Sequence, residues 1–257
     1  METALITGAS KGIGKAIAEE LGGRGYNLLL VARSAELLLQ AANEFREKFN
    51  IDVDILAIDL SLPDSPEKVL YWCKEKNYNV TILVNNAGYG LSGQFDKYSV
   101  AENVNMVQLN IVALVKLCQL FLPQLKQRSK SYILNIASSA AYQAVPFLSL
   151  YSASKSFVLS FSRGLRQELK KTSVSLTCIS PGSTDTDFVV RAQLGEKGLK
   201  TASKVNMTPK DVAHIAVNSL FAGKAEVVVG FLNKLGAFMA WLMPKGLVET
   251  TAMKIYE

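Results

Sequence analysis

Short runs of aliphatic and β-branched residues recur along the chain, at Ala4–Thr7, Leu28–Val31, Val53–Ile58, Thr81–Val84, Tyr132–Ile136, Val174–Ile179 and Glu226–Val229. Longer stretches with helical spacing lie between them: Gly12–Gly23, Ala35–Phe49, Pro66–Lys76, Val100–Lys126, Tyr151–Lys171 and Pro209–Phe221. Strands that alternate with helices imply βαβ units and a parallel sheet. The strand runs are apolar almost throughout instead of alternating, as expected when both faces of a sheet are covered. No Pro/Ser-rich linker, repeat or low-complexity tract interrupts the order. The expectation is a single α/β domain over residues 1–257, a doubly wound parallel sheet of about seven strands with helices on both faces.

Composition narrows the chemistry. The chain has 257 residues, 49% hydrophobic and 19% charged, enough apolar material for a sizeable core. The net charge of +6 is not gathered into a block of like charges, and Lys197, Lys200 and Lys204 are spread through a loop-like stretch, so no nucleic-acid partner is expected. Cys73, Cys118 and Cys178 are far apart without metal-ligand spacing. His214 is the only histidine and falls in an apolar helical pattern, which argues against a Ser-His-Asp triad or a histidine metal site. No metal is expected. Reduced thiols, and strand-like residues beginning at Thr3 with no separate targeting segment, lead to an expectation of a cytoplasmic protein.

In an open parallel sheet, ligands bind beyond the carboxyl ends of the strands, so the residues after each strand carry the functional information. After the first comes Thr7-Gly8-Ala9-Ser10-Lys11-Gly12-Ile13-Gly14, opening a helix. Glycines let the backbone turn tightly and approach a pyrophosphate, and the helix N-terminus offers unpaired N–H groups. After the second stands Arg33, where a site for an unphosphorylated ribose would place an acid. A guanidinium there, with Lys11 nearby, suits a 2′-phosphate and hence NADP(H). Asp59-Leu60 follows the third strand, and Asn85-Asn86-Ala87-Gly88 the fourth. Ser138 follows the fifth, and Tyr151 and Lys155 open the next helix, four residues apart on one face. A lysine cation about 4 Å from a phenol in a partly shielded site contributes roughly 4 kcal/mol of Coulomb energy. That favours the phenolate, making the pair a candidate general acid/base with Ser138 holding the reacting oxygen.

Together these motifs resemble the short-chain dehydrogenase/reductase family, from Thr3 to about Val229 and in the family's order, with Asn110 and Pro181-Gly182 completing the set. The resemblance implies a Rossmann-like fold and an NADP(H)-dependent oxidoreductase interconverting a secondary alcohol and a ketone. It implies that Tyr151 transfers the proton, Ser138 steadies the oxygen, Lys155 binds the nicotinamide ribose and lowers the tyrosine pKa, and Asn110 holds a water linking Lys155 to solvent. It implies a cofactor site of Gly8, Ser10, Lys11, Gly12, Ile13, Gly14, Arg33, Asp59, Leu60, Asn86, Ala87, Gly88, Tyr151, Lys155, Pro181, Gly182, Thr184 and Thr186. A non-catalytic NADP(H)-binding sensor and a methyltransferase of similar layout are the rival readings; the intact Ser138, Tyr151 and Lys155 oppose the first.

The substrate is expected to be a hydrophobic or acyl-type small molecule. Residues 187–208, with Phe188, Val189, Val190 and Leu194, are assigned as a substrate-covering loop by the resemblance, and Tyr89, Leu91, Ala140, Tyr142, Ala144, Val145, Pro146 and Phe147 are the other wall candidates. Val112, Leu114, Leu117 and Phe121, with Phe157, Leu159, Phe161 and Leu165, exceed one sheet-facing stripe. The family's pairing of these helices implies a homodimer or homotetramer. The apolar C-terminal extension, residues 231–257, is expected to pack on its own domain or a sister subunit; peripheral membrane contact is the second reading and another protein the third.

Overall fold

A computed structural model describes residues 2–184 and 207–256. Its seven strands are β1 Thr3–Thr7, β2 Asn27–Ala32, β3 Val53–Ala57, β4 Val80–Asn85, β5 Ser131–Ile136, β6 Val174–Ser180 and β7 Glu226–Val228. All pair in parallel, in the order β3-β2-β1-β4-β5-β6-β7. The order reverses between β1 and β4, where a doubly wound sheet opens its ligand crevice.

The helices are α1 Gly12–Gly22, α2 Ala35–Phe49, α3 Ser65–Glu75, α4 Val100–Val107, α5 Ala113–Lys126, α6 Ser149–Glu168, α7 Pro209–Phe221, α8 Phe231–Leu242 and α9 Lys245–Tyr256. Two separate cores form, because successive strand residues point to opposite faces. On one face Leu5, Leu29, Leu83, Ile133 and Leu176 meet Val69 of α3, Leu117 and Phe121 of α5, and Val158 of α6. On the other, Ile6, Leu30, Val84 and Leu134 meet Ile17 of α1, Phe45 of α2, and Val212 and Ala216 of α7.

Three elements differ from the expected pattern. Val100–Lys126 is not one regular helix: a π-helical turn, Gln108–Val112, separates α4 from α5 and holds the buried Asn110. This stretch is long and apolar enough to cross a membrane by composition, with mean hydropathy 1.6. Its Leu114, Leu117, Cys118, Phe121 and Leu125 are nevertheless buried against the sheet, making it a core helix. Helix α6 begins at Ser149, two residues before Tyr151. Finally, residues after Gly230 form two helices that pack differently from each other. Among the described residues of α8 none is buried, whereas α9 returns to the body and buries Ala252 in the first core.

Candidate active site

The glycine loop is held by steric necessity. Gly8 and Gly12 adopt φ of 65° and 59°, a region that glycine enters without a Cβ penalty. A Cβ on Gly14 would lie 2.2 Å from the Gly8 carbonyl oxygen and 2.4 Å from Asn86 Nδ2, so α1 can approach the loop only with glycine there. Asn86 then staples two strand ends together: its Nδ2 donates to the carbonyls of Thr7 (3.0 Å) and Gly8 (3.2 Å). Thr7 Oγ1 accepts from the Asn86 and Ala87 amides while donating to Val84 O. The Asn86 side chain thus builds the cradle.

These residues fit a dinucleotide. Among the described residues no side chain caps the N-terminus of α1 and no acid lies in its first turn, and its positive dipole end faces the loop. Arg33 stands at the end of β2, 55% exposed, with Nη1 3.9 Å from Asp59 Oδ2 at the end of β3. Asp59 also accepts from the amide and hydroxyl of Ser61 at 2.9 and 2.8 Å. Arg33, expected at the 2′-phosphate, and Asp59 of the expected cofactor site therefore share one corner of the crevice. Ile13 packs on the second core and Leu60 is buried in the first, so both side chains serve packing; any contribution from Leu60 to a ligand must come from its backbone.

The chemistry-bearing side chains converge beyond β5. Ser138 begins a single 3-10 turn, Ser139–Tyr142, and its Oγ accepts from the Ala140 amide at 3.1 Å. The Ser139 amide donates to Pro181 O at 2.7 Å, joining this loop to the one after β6. Lys155 is buried and reaches across from α6 to donate to Ile136 O at 2.8 Å, with Nζ 5.9 Å from the Tyr151 ring centroid. Burial pushes the Lys155 amine down from 10.5 to about 8. It remains mostly cationic at pH 7, so the expected electrostatic bias toward a Tyr151 phenolate is available.

Asn110 joins the loop after β4 to α6. Its Nδ2 donates to Tyr89 O (2.9 Å) and Ser154 Oγ (3.1 Å), and its Oδ1 accepts from the Tyr89 amide (3.1 Å). The carboxamide thereby ties the loop after β4 to α6 and positions both. A Cβ on Gly88 would lie 3.0 Å from Asn110 Oδ1 and 3.5 Å from Lys155 Nζ, so the glycine lets this loop reach the lysine.

Beyond β6, Gly182 lies against the first turn of α8, where its Cβ would be 2.1 Å from Asn233 Nδ2. Asn233, which sequence reasoning missed, donates to Val229 O at 2.7 Å. Thr184 is buried, its Oγ1 donating to Gly182 O at 3.2 Å, and bridges to Met207. Thr186, Phe188, Val189, Val190 and Leu194 lie outside the described residues, as does the expected covering loop apart from Met207 and Thr208.

A pocket of about 400 Å³ opens between the segment after Gly88 and the start of α6. Leu91, Pro146 and Phe147 line it as expected. Phe147 holds a φ of 63°, a strained backbone fixed by its carbonyl accepting from the Gly93 amide at 2.8 Å. Met106, Leu150 and Met253 also line the pocket; Met253 comes from α9, which had no readable pattern. Tyr89 and Val145 are instead core residues. Tyr142 is held away by donating its hydroxyl proton to Glu226 Oε1 (2.6 Å), with Ser180 Oγ 3.2 Å from the same oxygen, so it braces the 3-10 turn against β7.

Cys73, Cys118 and Cys178 are buried and unpaired, and burial pushes each thiol up to about 12, far from a reactive thiolate. His214 is an exposed partner of Glu20 and Asn218. Among the described residues no group of three His, Cys, Asp or Glu could hold a metal ion.

Comparison with known proteins agrees with this geometry. A family model described as short chain dehydrogenase matches residues 2–197. The very-long-chain 3-oxoacyl-CoA reductase of Macaca fascicularis is 37% identical over 248 residues, covering 94% of this chain and 74% of that protein. Its namesake from Mus musculus is 36% identical over 186 residues, 70% of this chain; the match spans 58% of that protein's length. Among solved structures, a short-chain dehydrogenase from Sphingobium yanoikuyae in complex with NADPH superposes with a TM-score of 0.81 at 28% identity, covering 96% of this chain and 95% of that one. The bulky-bulky ketone specific alcohol dehydrogenase from Comamonas testosteroni gives 0.78 at 28% identity, with 95% and 94% covered. With its loops in this order around one sheet edge and the family match extending through residue 197, the chain belongs to the short chain dehydrogenase family of oxidoreductases.

Proposed function

We propose that the protein is an NADP(H)-dependent reductase or dehydrogenase interconverting a secondary alcohol and a ketone on a hydrophobic, acyl-type substrate. The observation that carries this reading is the burial of Tyr151, Lys155 and Ser138 together at the end of β5, beside the glycine cradle. NADPH, when bound, supplies the hydride, and Gly8, Gly14 and Gly88, with Arg33 at the 2′-phosphate corner, would hold it. Tyr151 donates its hydroxyl proton to the carbonyl oxygen during reduction and recovers one in the reverse direction. Ser138 hydrogen-bonds that oxygen, and the Lys155 cation stabilises the tyrosine as its proton leaves. Asn110 acts through Tyr89 and Ser154 to keep Gly88 and α6 in place.

Leu91, Met106, Phe147 and Met253 form an apolar part of the pocket, beside the polar Gln94, Asp96, Asn103 and Ser149, and that part supports a hydrophobic group on the substrate. The names of the relatives point the same way, toward 3-oxoacyl thioesters and bulky ketones. The three buried, unpaired thiols support a reducing compartment, the cytoplasm. On α6, half-exposed Phe161 stacks on exposed Phe157 at 5.9 Å, an apolar surface that supports a homodimer through α5 and α6. Light scattering at micromolar concentration then reads twice the chain mass, and a strict monomer refutes the dimer.

The experiment for the reaction follows the loss of NADPH absorbance with 3-oxoacyl thioesters of increasing chain length, bulky aryl ketones and a polyol ketone. Turnover with the first two classes, and preference for NADPH over NADH, are expected. NADPH binding without turnover on any ketone would favour the sensor reading instead.

A further inference from the structure

α8 is built inside out. At about 100° per residue, Asn233, Ala237 and Ala240 share the face turned toward the protein, and these are its only partly covered residues. The opposite face carries Phe231, Leu235, Phe238, Met239 and Leu242, each at least 40% exposed. Trp241, 78% exposed and 6.0 Å from the Phe238 ring, stands at one edge of that face beside Lys234. A helix stabilised by its own domain would show the reverse arrangement.

We propose that α8 lies flat on an anionic lipid surface with its apolar face in the headgroup–acyl boundary. Charge complementarity selects this occupant over a second copy of the chain. α8 contains no acidic residue, and Lys234 at its edge and Lys245 just beyond its end present cations to lipid phosphates and carboxylates. Lysine is depleted from protein–protein interface cores, whereas an interfacial tryptophan with flanking lysines is the composition of a membrane-surface helix. Its 12 residues span about 18 Å, too short to cross a bilayer and long enough to lie on one. The helix is also anchored beside the reaction edge, with Asn233 against Gly182 at its first turn and α9 returning to place Met253 on the pocket wall. Docking would therefore bring that edge to the membrane, where hydrophobic substrates of the class proposed above partition.

The test uses the full chain with phosphatidylcholine vesicles containing or lacking phosphatidylserine, and needs no substrate. Expected results are co-sedimentation with the anionic vesicles only, release by salt, and a blue shift of tryptophan emission on binding. The exposed-face variant Phe238→Ser/Trp241→Ser should bind at least tenfold more weakly, and Lys234→Glu/Lys245→Glu at least fivefold, with melting temperature and NADPH binding unchanged. Wild-type protein that stays in the supernatant at low salt overturns the proposal. So does vesicle binding that both variants retain. A serine variant that halves the particle mass in light scattering, while the wild type ignores vesicles, assigns the face to a second copy. Failure here leaves NADPH-dependent turnover, measured without vesicles, untouched.

Discussion

Replacing Lys155 with methionine should make the protein more stable and abolish its catalysis. The native lysine is buried, and burial pulls its amine from 10.5 to about 8. At pH 7 the folded chain therefore holds a desolvated cation at a cost of about 3 kcal/mol relative to the unfolded chain. Methionine keeps most of the apolar stem and removes the charge, but loses the donor to Ile136 O, worth about 1 kcal/mol. The net expectation is a gain of about 1–2 kcal/mol at pH 7. The sign of the pH dependence follows from the direction of the shift. Between about 8 and 10.5 the unfolded chain binds a proton at this lysine that the folded chain does not. Wild-type stability should therefore rise relative to Lys155→Met across that window, and the gain seen at pH 7 should disappear by about pH 10. Urea unfolding of both proteins at pH 7 and 9.5, with NADPH oxidation measured in parallel, provides the assay. A variant at least 1 kcal/mol less stable than wild type at pH 7, or a stability difference indifferent to pH, would refute the reasoning.

Two further outcomes follow from the cofactor cradle. Gly14→Ala forces a Cβ to 2.2 Å from Gly8 O and 2.4 Å from Asn86 Nδ2, breaking the staple; overpacking and two lost hydrogen bonds should cost about 2–4 kcal/mol, read as a melting temperature lower by roughly 4–16 °C, and a change under 2 °C would contradict the packing described. Arg33→Asp should weaken NADPH binding at least tenfold in a fluorescence titration with little change for NADH and in stability, because the Arg33–Asp59 contact is long and exposed; equal losses for both cofactors would remove Arg33 from the phosphate site.

The sheet was legible because each strand is a buried apolar run followed by a loop of distinctive residues, and burial on both faces leaves little freedom in register. Ser138, Tyr151 and Lys155 could be placed because strand end and helix start each fix one of the partners. What could not be read depends on contacts between distant segments. The π-helical turn at Gln108–Val112 carries no residue pattern of its own, so Asn110 stood out through the family resemblance alone and its tie between Tyr89 and Ser154 could not be read. The hydrogen bonds of the Asn86 side chain decide how β1 and β4 meet at the crevice, and no local pattern announces them. Met253 and Asn233 reach the pocket and Gly182 only because α8 and α9 fold back, and nothing local signals that return. In α8 the apolar residues lie at mixed helical spacings and set no direction; the structure turns Asn233, Ala237 and Ala240 toward the protein.

The most direct test of the central claim is steady-state turnover of Tyr151→Phe with the best ketone from the panel, paired with a fluorescence titration of NADPH. Removing the hydroxyl takes away the proton donor and leaves the glycine cradle and Arg33 intact. The account predicts a fall in kcat of at least about 100-fold with NADPH affinity within twofold of wild type. A correctly folded Tyr151→Phe protein that turns over at a near-normal rate would show that another group moves the proton.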